Sequence, residues 1–200
     1  MLSRASRRVI ALLAAAVLTL SIAPVASAAP QPGRGPVARP HCVTKLVRVP
    51  GHYPRAKAGA TRCFKDLASA LRFASPASAV PDAVTADQVD AVLSGVAAKA
   101  APSDTTTIIG IHWEHEDRGG RDRIYYVKGN APCSNGRVWQ IPALDAGWDG
   151  LVSSAEAFGG CGTFVQFGSK GYGGQSRACT PYCASLGGLN DNVKSVRWRA

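Results

Sequence analysis

Two hundred residues hold one domain of ordinary size, or a smaller one with extensions. At 46% hydrophobic and 18% charged residues the chain can bury a core, which excludes wholesale disorder. Gly 21 and Pro 13 favour a turn-rich architecture over a helix bundle, and 23 Lys+Arg against 13 Asp+Glu leave a formal charge of +10.

The first element is an export signal. Arg4, Arg7 and Arg8 precede an apolar run from Val9 to Leu20, followed by Pro24 and Ala26-Ser27-Ala28. This is the pattern of a secretory signal peptide cleaved after Ala28. The apolar run is too short for the roughly 20 residues of a bilayer span, and no later segment is longer, so no transmembrane segment is expected. Cleavage removes three cations and leaves +7.

Residues 29–60 read as a basic leader. Pro30, Pro32, Gly33, Gly35, Pro36, Pro40, Pro50, Gly51 and Pro54 argue against a helix or a central strand there. From Arg34 to Arg72 nine Lys/Arg face one acid, Asp66. Such an arm can meet an anionic surface. Nucleic acid is not expected, because only Tyr53 offers a ring for base stacking.

Residues 61–104 carry two short helical patterns that read as a pro-segment. Phe64, Leu67, Ala68 and Leu71 form one apolar stripe. Thr85-Ala86-Asp87-Gln88 has capping-box spacing and precedes a second stripe, Val89, Val92, Leu93 and Val96.

From residue 105 to 200 the texture is short strands and Gly-rich turns. Strands are expected at Thr106–Trp113, Arg123–Lys128, Arg137–Ile141, Ser153–Phe158, Thr163–Phe167, Gln175–Cys179 and Val193–Trp198, the spacing of a β-sandwich. This stretch repeats internally. Trp113, Arg118 and Gly120 match Phe167, Tyr172 and Gly174 at one offset, and Asp149–Ser154 matches Asn190–Ser195 at a shorter one. The first half carries the extra length around Asn130–Arg137.

These residues resemble the βγ-crystallin family, especially its small secreted bacterial members. The family's corner motif is aromatic, four residues, aromatic, one residue, Gly. Phe167, Tyr172 and Gly174 satisfy it, and Trp113 and Gly120 satisfy it around Arg118. Ser154 and Ser195 are the serines that would tie each corner down. The resemblance implies a mainly β fold, a double Greek-key sandwich preceded by a short helical segment and a basic leader.

It also implies calcium, through Asn/Asp, Asn/Asp, two free positions, Ser/Thr, Ser. Asp149 and Ser153 fit in the first copy, where Gly150 departs. Asn190 and Asp191 fit in the second, where Lys194 departs. A unit charge about 4 Å from a divalent ion costs on the order of 8 kcal/mol at an effective dielectric near 20. Calcium is therefore expected to bind weakly, or at one loop only.

Export favours disulfides. Locality suggests Cys42–Cys63, Cys133–Cys161 and Cys179–Cys183, with zinc at His41, Cys42, His52 and Cys63 as the rival for the leader. His112 and His115 do not have zinc-protease spacing and read as surface strand residues. No nucleophile–base pair is evident, so an enzyme is not expected. The functional expectation is a secreted, monomeric, non-enzymatic binding or protective module. The alternative is a metalloprotease inhibitor presenting the Asn130–Arg137 loop to an extracellular protease. A further alternative is a toxin or cell-wall-binding protein.

Overall fold

The computed structural model describes residues 40–76, 78–94, 106–129 and 132–200. The export signal, residues 29–39 of the Pro/Gly-rich arm and the end of the second helical stripe (Val96) lie outside the described residues.

Ten strands form two sheets. In chain order they are β1 (His41–Arg48), β2 (Ala56–Phe64), β3 (Thr106–Trp113), β4 (Asp122–Lys128), β5 (Trp139–Ile141), β6 (Ser154–Ala157), β7 (Thr163–Ser169), β8 (Gly173–Cys179), β9 (Tyr182–Cys183) and β10 (Ser195–Arg199). Helices α1 (Leu67–Ala74) and α2 (Val89–Ser94) lie between β2 and β3. The first sheet runs β2-β1-β4-β3-β6-β9 and the second β5-β10-β7-β8. Each half supplies four strands, and the third strand of each crosses to the other sheet. β5 joins β10, and β9 joins β6. That exchange is the double Greek key, and it buries between the sheets a core that neither half could close alone.

All seven strands expected after residue 105 are present, with ends shifted by up to two residues. The two-residue strand β9 escapes sequence reading because it is too short to show alternation.

The segment expected to lack a central strand is different. β1 lies between β2 and β4, antiparallel to one and parallel to the other. Its prolines and glycine sit outside the strands: Pro40 precedes β1, and Pro50, Gly51 and Pro54 fall in the connecting turn. They therefore mark a hairpin, not an extended leader. Cys42–Cys63 bridges its two strands.

Helix α1 begins at Asp66, whose carboxylate accepts from the Ser69 backbone N–H at 2.7 Å. Its buried face, Leu67, Ala70, Leu71 and Ala74, packs with Val89 against Val43, Ile108, Ile111, Trp113 and Ile124 on the outer face of the first sheet. β3 is consequently buried on both faces, Ile109 and His112 inward and Ile108, Ile111 and Trp113 outward. One close approach fixes a residue in β3. A Cβ on Gly110 would lie 2.3 Å from the Trp198 indole nitrogen and 3.1 Å from the Glu156 carbonyl.

Candidate functional site

The two corners are the first part of the site. In the first, Asp117, Arg118 and Gly120 adopt φ of 51°, 61° and 81°; in the second, Gly171, Tyr172 and Gly174 adopt 70°, 69° and 75°. The same three positions of the repeat thus hold the left-handed conformation, which glycine tolerates without a Cβ penalty and other residues only with support. That support is a serine from the partner motif. Ser154 Oγ donates to the His115 carbonyl at 2.7 Å and accepts from Arg118 N–H at 3.2 Å. Ser195 Oγ donates to the Ser169 carbonyl at 2.7 Å and accepts from Tyr172 N–H at 2.9 Å. In the second corner the Phe167 and Tyr172 rings meet edge to face, with centroids 5.8 Å apart.

Arg118, which departs from the motif, has its own packing. Its guanidinium lies 3.8 Å from the Tyr182 ring centre and donates to Glu156 Oε2 at 3.0 and 2.9 Å. It also reaches Asp90 of α2 at 2.7 Å. Burial pushes Glu156 up to about 8 despite that cation.

The two signature loops cross. Gly150 N–H donates to the Val193 carbonyl at 3.1 Å, and Asp191 N–H to the Val152 carbonyl at 3.0 Å. The second position of each loop therefore meets the fourth position of the other, which brings the fifth-position side chains across. Ser153 Oγ donates to Asp191 Oδ1 at 3.1 Å. Lys194 Nζ lies 2.7 Å from Asp149 Oδ1 and 3.2 Å from where a Gly150 Cβ would stand. The repeat thus builds two half-sites, Asp149, Gly150 and Lys194 at one and Asn190, Asp191 and Ser153 at the other.

Each half-site also receives a residue from its corner hairpin that sequence reading missed. Lys170 Nζ approaches Asp149 Oδ2 at 3.5 Å. At the equivalent position of the first corner is Glu116, whose Oε1 accepts from Asn190 Nδ2 at 2.5 Å and Ser185 Oγ at 2.6 Å. The half-sites thus differ in charge. One carboxylate against two ammonium groups gives +1 around Asp149; two carboxylates, with no Lys or Arg paired to either among the described residues, give −2 around Asp191 and Glu116. Hydrogen bonding by Lys194 holds the Asp149 carboxyl below its usual range, and bonds from Ser185 and Asn190 do the same for Glu116. The repeat offset pairs position 116 with 170, and that was the available signal.

Calcium asks for several oxygen donors and no cation in reach. The Asp149 half-site does not fit, because an ammonium group already sits on its carboxylate. The Asp191 half-site offers carboxylate, amide and hydroxyl oxygens. Among the described residues no three His, Cys, Asp or Glu side chains cluster for a metal.

The zinc rival in the hairpin is removed, since Cys42 and Cys63 are joined and His41 Nδ1 is 2.5 Å from Asp122 Oδ2. Cys133–Cys161 and Cys179–Cys183 are the other two disulfides. His112 is not a surface residue. It is fully buried between the sheets, stacked on Phe164 with ring centres 4.6 Å apart. Its Nε2 is 2.9 Å from Gln166 Oε1, and its Nδ1 is 3.2 Å from Tyr125 Oη. Gln166 is its counterpart in the repeat, so the pair links the two halves at their centre. Burial lowers the imidazole to about 3. His115 is exposed. Of the inserted loop, residues 130 and 131 lie outside the described residues; Asn135, Gly136 and Arg137 are exposed beside buried Cys133.

No family model and no curated protein matches the chain. Two solved structures align with part of it. One is a βγ-crystallin from an archaeon, with 18% identity and a TM-score of 0.33, covering 46% of this chain and 96% of that one. The other is a βγ-crystallin from Ciona intestinalis, with 23% identity and a TM-score of 0.31, covering 44% and 94%. By its own strand exchange and serine-tied corners, the stretch from β3 to β10 is a βγ-crystallin-like double Greek key.

Proposed function

We propose that the protein is a secreted, non-enzymatic binding or protective module that keeps one weak calcium site, at Asn190, Asp191, Ser153 and Glu116. The observation that carries this is the charge asymmetry between the half-sites, +1 at Asp149 and −2 at Asp191. Lys194 acts as a built-in cation at the first loop, holding the crossed loops together without metal. At the second loop Asp191 and Glu116 have no such ammonium group among the described residues, and a divalent cation would take its place. Few carboxylates and an exposed loop place the affinity in the weak range of extracellular modules. Three disulfides support a role outside the cell, where such bonds persist.

Calcium titration by calorimetry tests this. One binding event is expected, abolished by Glu116→Gln and retained in Lys170→Gln. Two events, or none at millimolar calcium, refute the reading. The inhibitor alternative rests on the exposed Asn135–Arg137 tip, braced by Cys133–Cys161 and by the Trp139 indole, which donates to the Pro132 carbonyl at 3.0 Å. Absence of inhibition across extracellular metalloproteases at micromolar protein rejects it.

A further inference from the structure

A cavity of about 340 Å³ opens where the β1–β2 turn meets the loop between β4 and β5. Arg48, Tyr53, Lys128, Arg137 and Trp139 line it, with no carboxylate among the lining residues. It is a composite of the two segments whose purpose was least evident from sequence, the basic leader and the inserted loop. They are joined there. Arg48 Nη1 donates to the Val138 carbonyl at 2.8 Å, and Val138 N–H donates to Tyr53 Oη at 3.1 Å.

Arg48 is held rigidly. Its guanidinium lies 3.8 Å from the Trp139 ring centre and 4.7 Å from that of Tyr53. Among the described residues its hydrogen bonds run from Nη1, to Val138 and at 3.4 Å to Pro54, and none of these residues engages the rest of its fork. A clamped guanidinium loses little freedom when it binds an oxyanion. Burial and the like charge of Arg137 both oppose its protonated form. Two guanidinium groups that converge without a carboxylate are relieved by a dianion. The exposed Tyr53 ring supplies a flat wall beside them.

We propose that this cavity binds a phosphoryl group, with Arg48 and Arg137 gripping its oxygens, Lys128 at the rim and Tyr53 packing on whatever ring the phosphate carries. A dianion is matched better than a single carboxylate, because the cations outnumber one negative charge. The size suits a small phosphomonoester or free phosphate. The site is independent of the calcium loops, since none of their residues lines it.

Calorimetry on the full chain at physiological salt tests it, with phenyl phosphate, inorganic phosphate and benzoate as probes. Saturable binding of phenyl phosphate is expected, with benzoate much weaker. Arg137→Ala should weaken it about tenfold or more, the loss expected for one charge-assisted hydrogen bond. Arg177→Ala, an exposed arginine on β8, should leave it unchanged. Arg137 is exposed, so its variant should keep the wild-type melting temperature. Arg48→Lys, which keeps the charge and loses the fork, should weaken binding as well. Tighter binding of phenyl phosphate than of inorganic phosphate assigns the site to a ring-bearing monoester; equal binding assigns it to free phosphate. No saturable binding at millimolar phosphate, or equal losses in Arg137→Ala and Arg177→Ala, overturns the proposal.

Discussion

His112 makes the stability of this protein depend on acid pH in a calculable way. The folded state holds the imidazole neutral, with a pKa near 3 against 6.5 for a free side chain. Between those values the unfolded chain binds the proton and the folded chain does not. The contribution of His112 is therefore fully present above pH 6.5 and is lost as pH falls toward 3. Each pH unit in that window costs about 1.4 kcal/mol, or about 2 kcal/mol by pH 5. In a domain of this size that lowers the melting temperature by about 4–8 °C. Other groups titrate in the same range, so the quantity to read is a difference. His112→Phe keeps the stack on Phe164 and removes the titration, at a fixed cost for the unpaired Gln166 oxygen. Melting curves from pH 7.5 to 4.5 should fall more steeply for wild type than for His112→Phe. Parallel curves would refute the burial argument.

Glu156 titrates in the opposite sense. Its folded pKa of about 8 exceeds the ordinary 4.5, so its contribution is full below pH 4.5 and is lost progressively as pH rises to 8. Glu156→Gln should flatten the fall in melting temperature between pH 6.5 and 8, above the range in which His112 titrates. Gly110→Ala should destabilise by about 3 kcal/mol, because the new methyl meets the Trp198 indole and a backbone carbonyl together; urea denaturation reads this. Residues 105–200 expressed alone should expose the outer face of β3 and β4 and bind a hydrophobic dye, whereas the chain from residue 40 should not. This outcome would mean that α1 and the β1–β2 hairpin stay with the working molecule rather than being shed as a pro-segment.

The sandwich was legible because its signals are local. Alternation, glycine at left-handed positions and serine spacing each mark a strand or a corner without reference to the rest of the chain. The β1–β2 hairpin was not legible, since proline and glycine counts do not say whether those residues sit inside strands or between them. One clue to it lay elsewhere. Thr106–Trp113 contains Ile108, Ile109, Ile111 and Trp113 without clean alternation, which signals a strand covered on both faces. The burial of His112 was hidden because the alternation rule places a residue on a face but does not say whether that face is covered. The calcium loops were legible as motifs, but not their crossing. Only when Lys194 is seen against Asp149 and Gly150, and Ser153 against Asp191, do both departures fall at one half-site and leave the other without them.

The most direct measurement is the calcium-dependent melting temperature of two conservative variants, Asp149→Asn and Asp191→Asn. Asn keeps the left-handed backbone that residue 191 needs, at φ 55°. Millimolar calcium should raise the melting temperature of wild type and of Asp149→Asn by similar amounts, and leave Asp191→Asn unmoved. Stabilisation that survives in Asp191→Asn and disappears in Asp149→Asn would place the ion in the loop that Lys194 fills, and would contradict the single-site assignment.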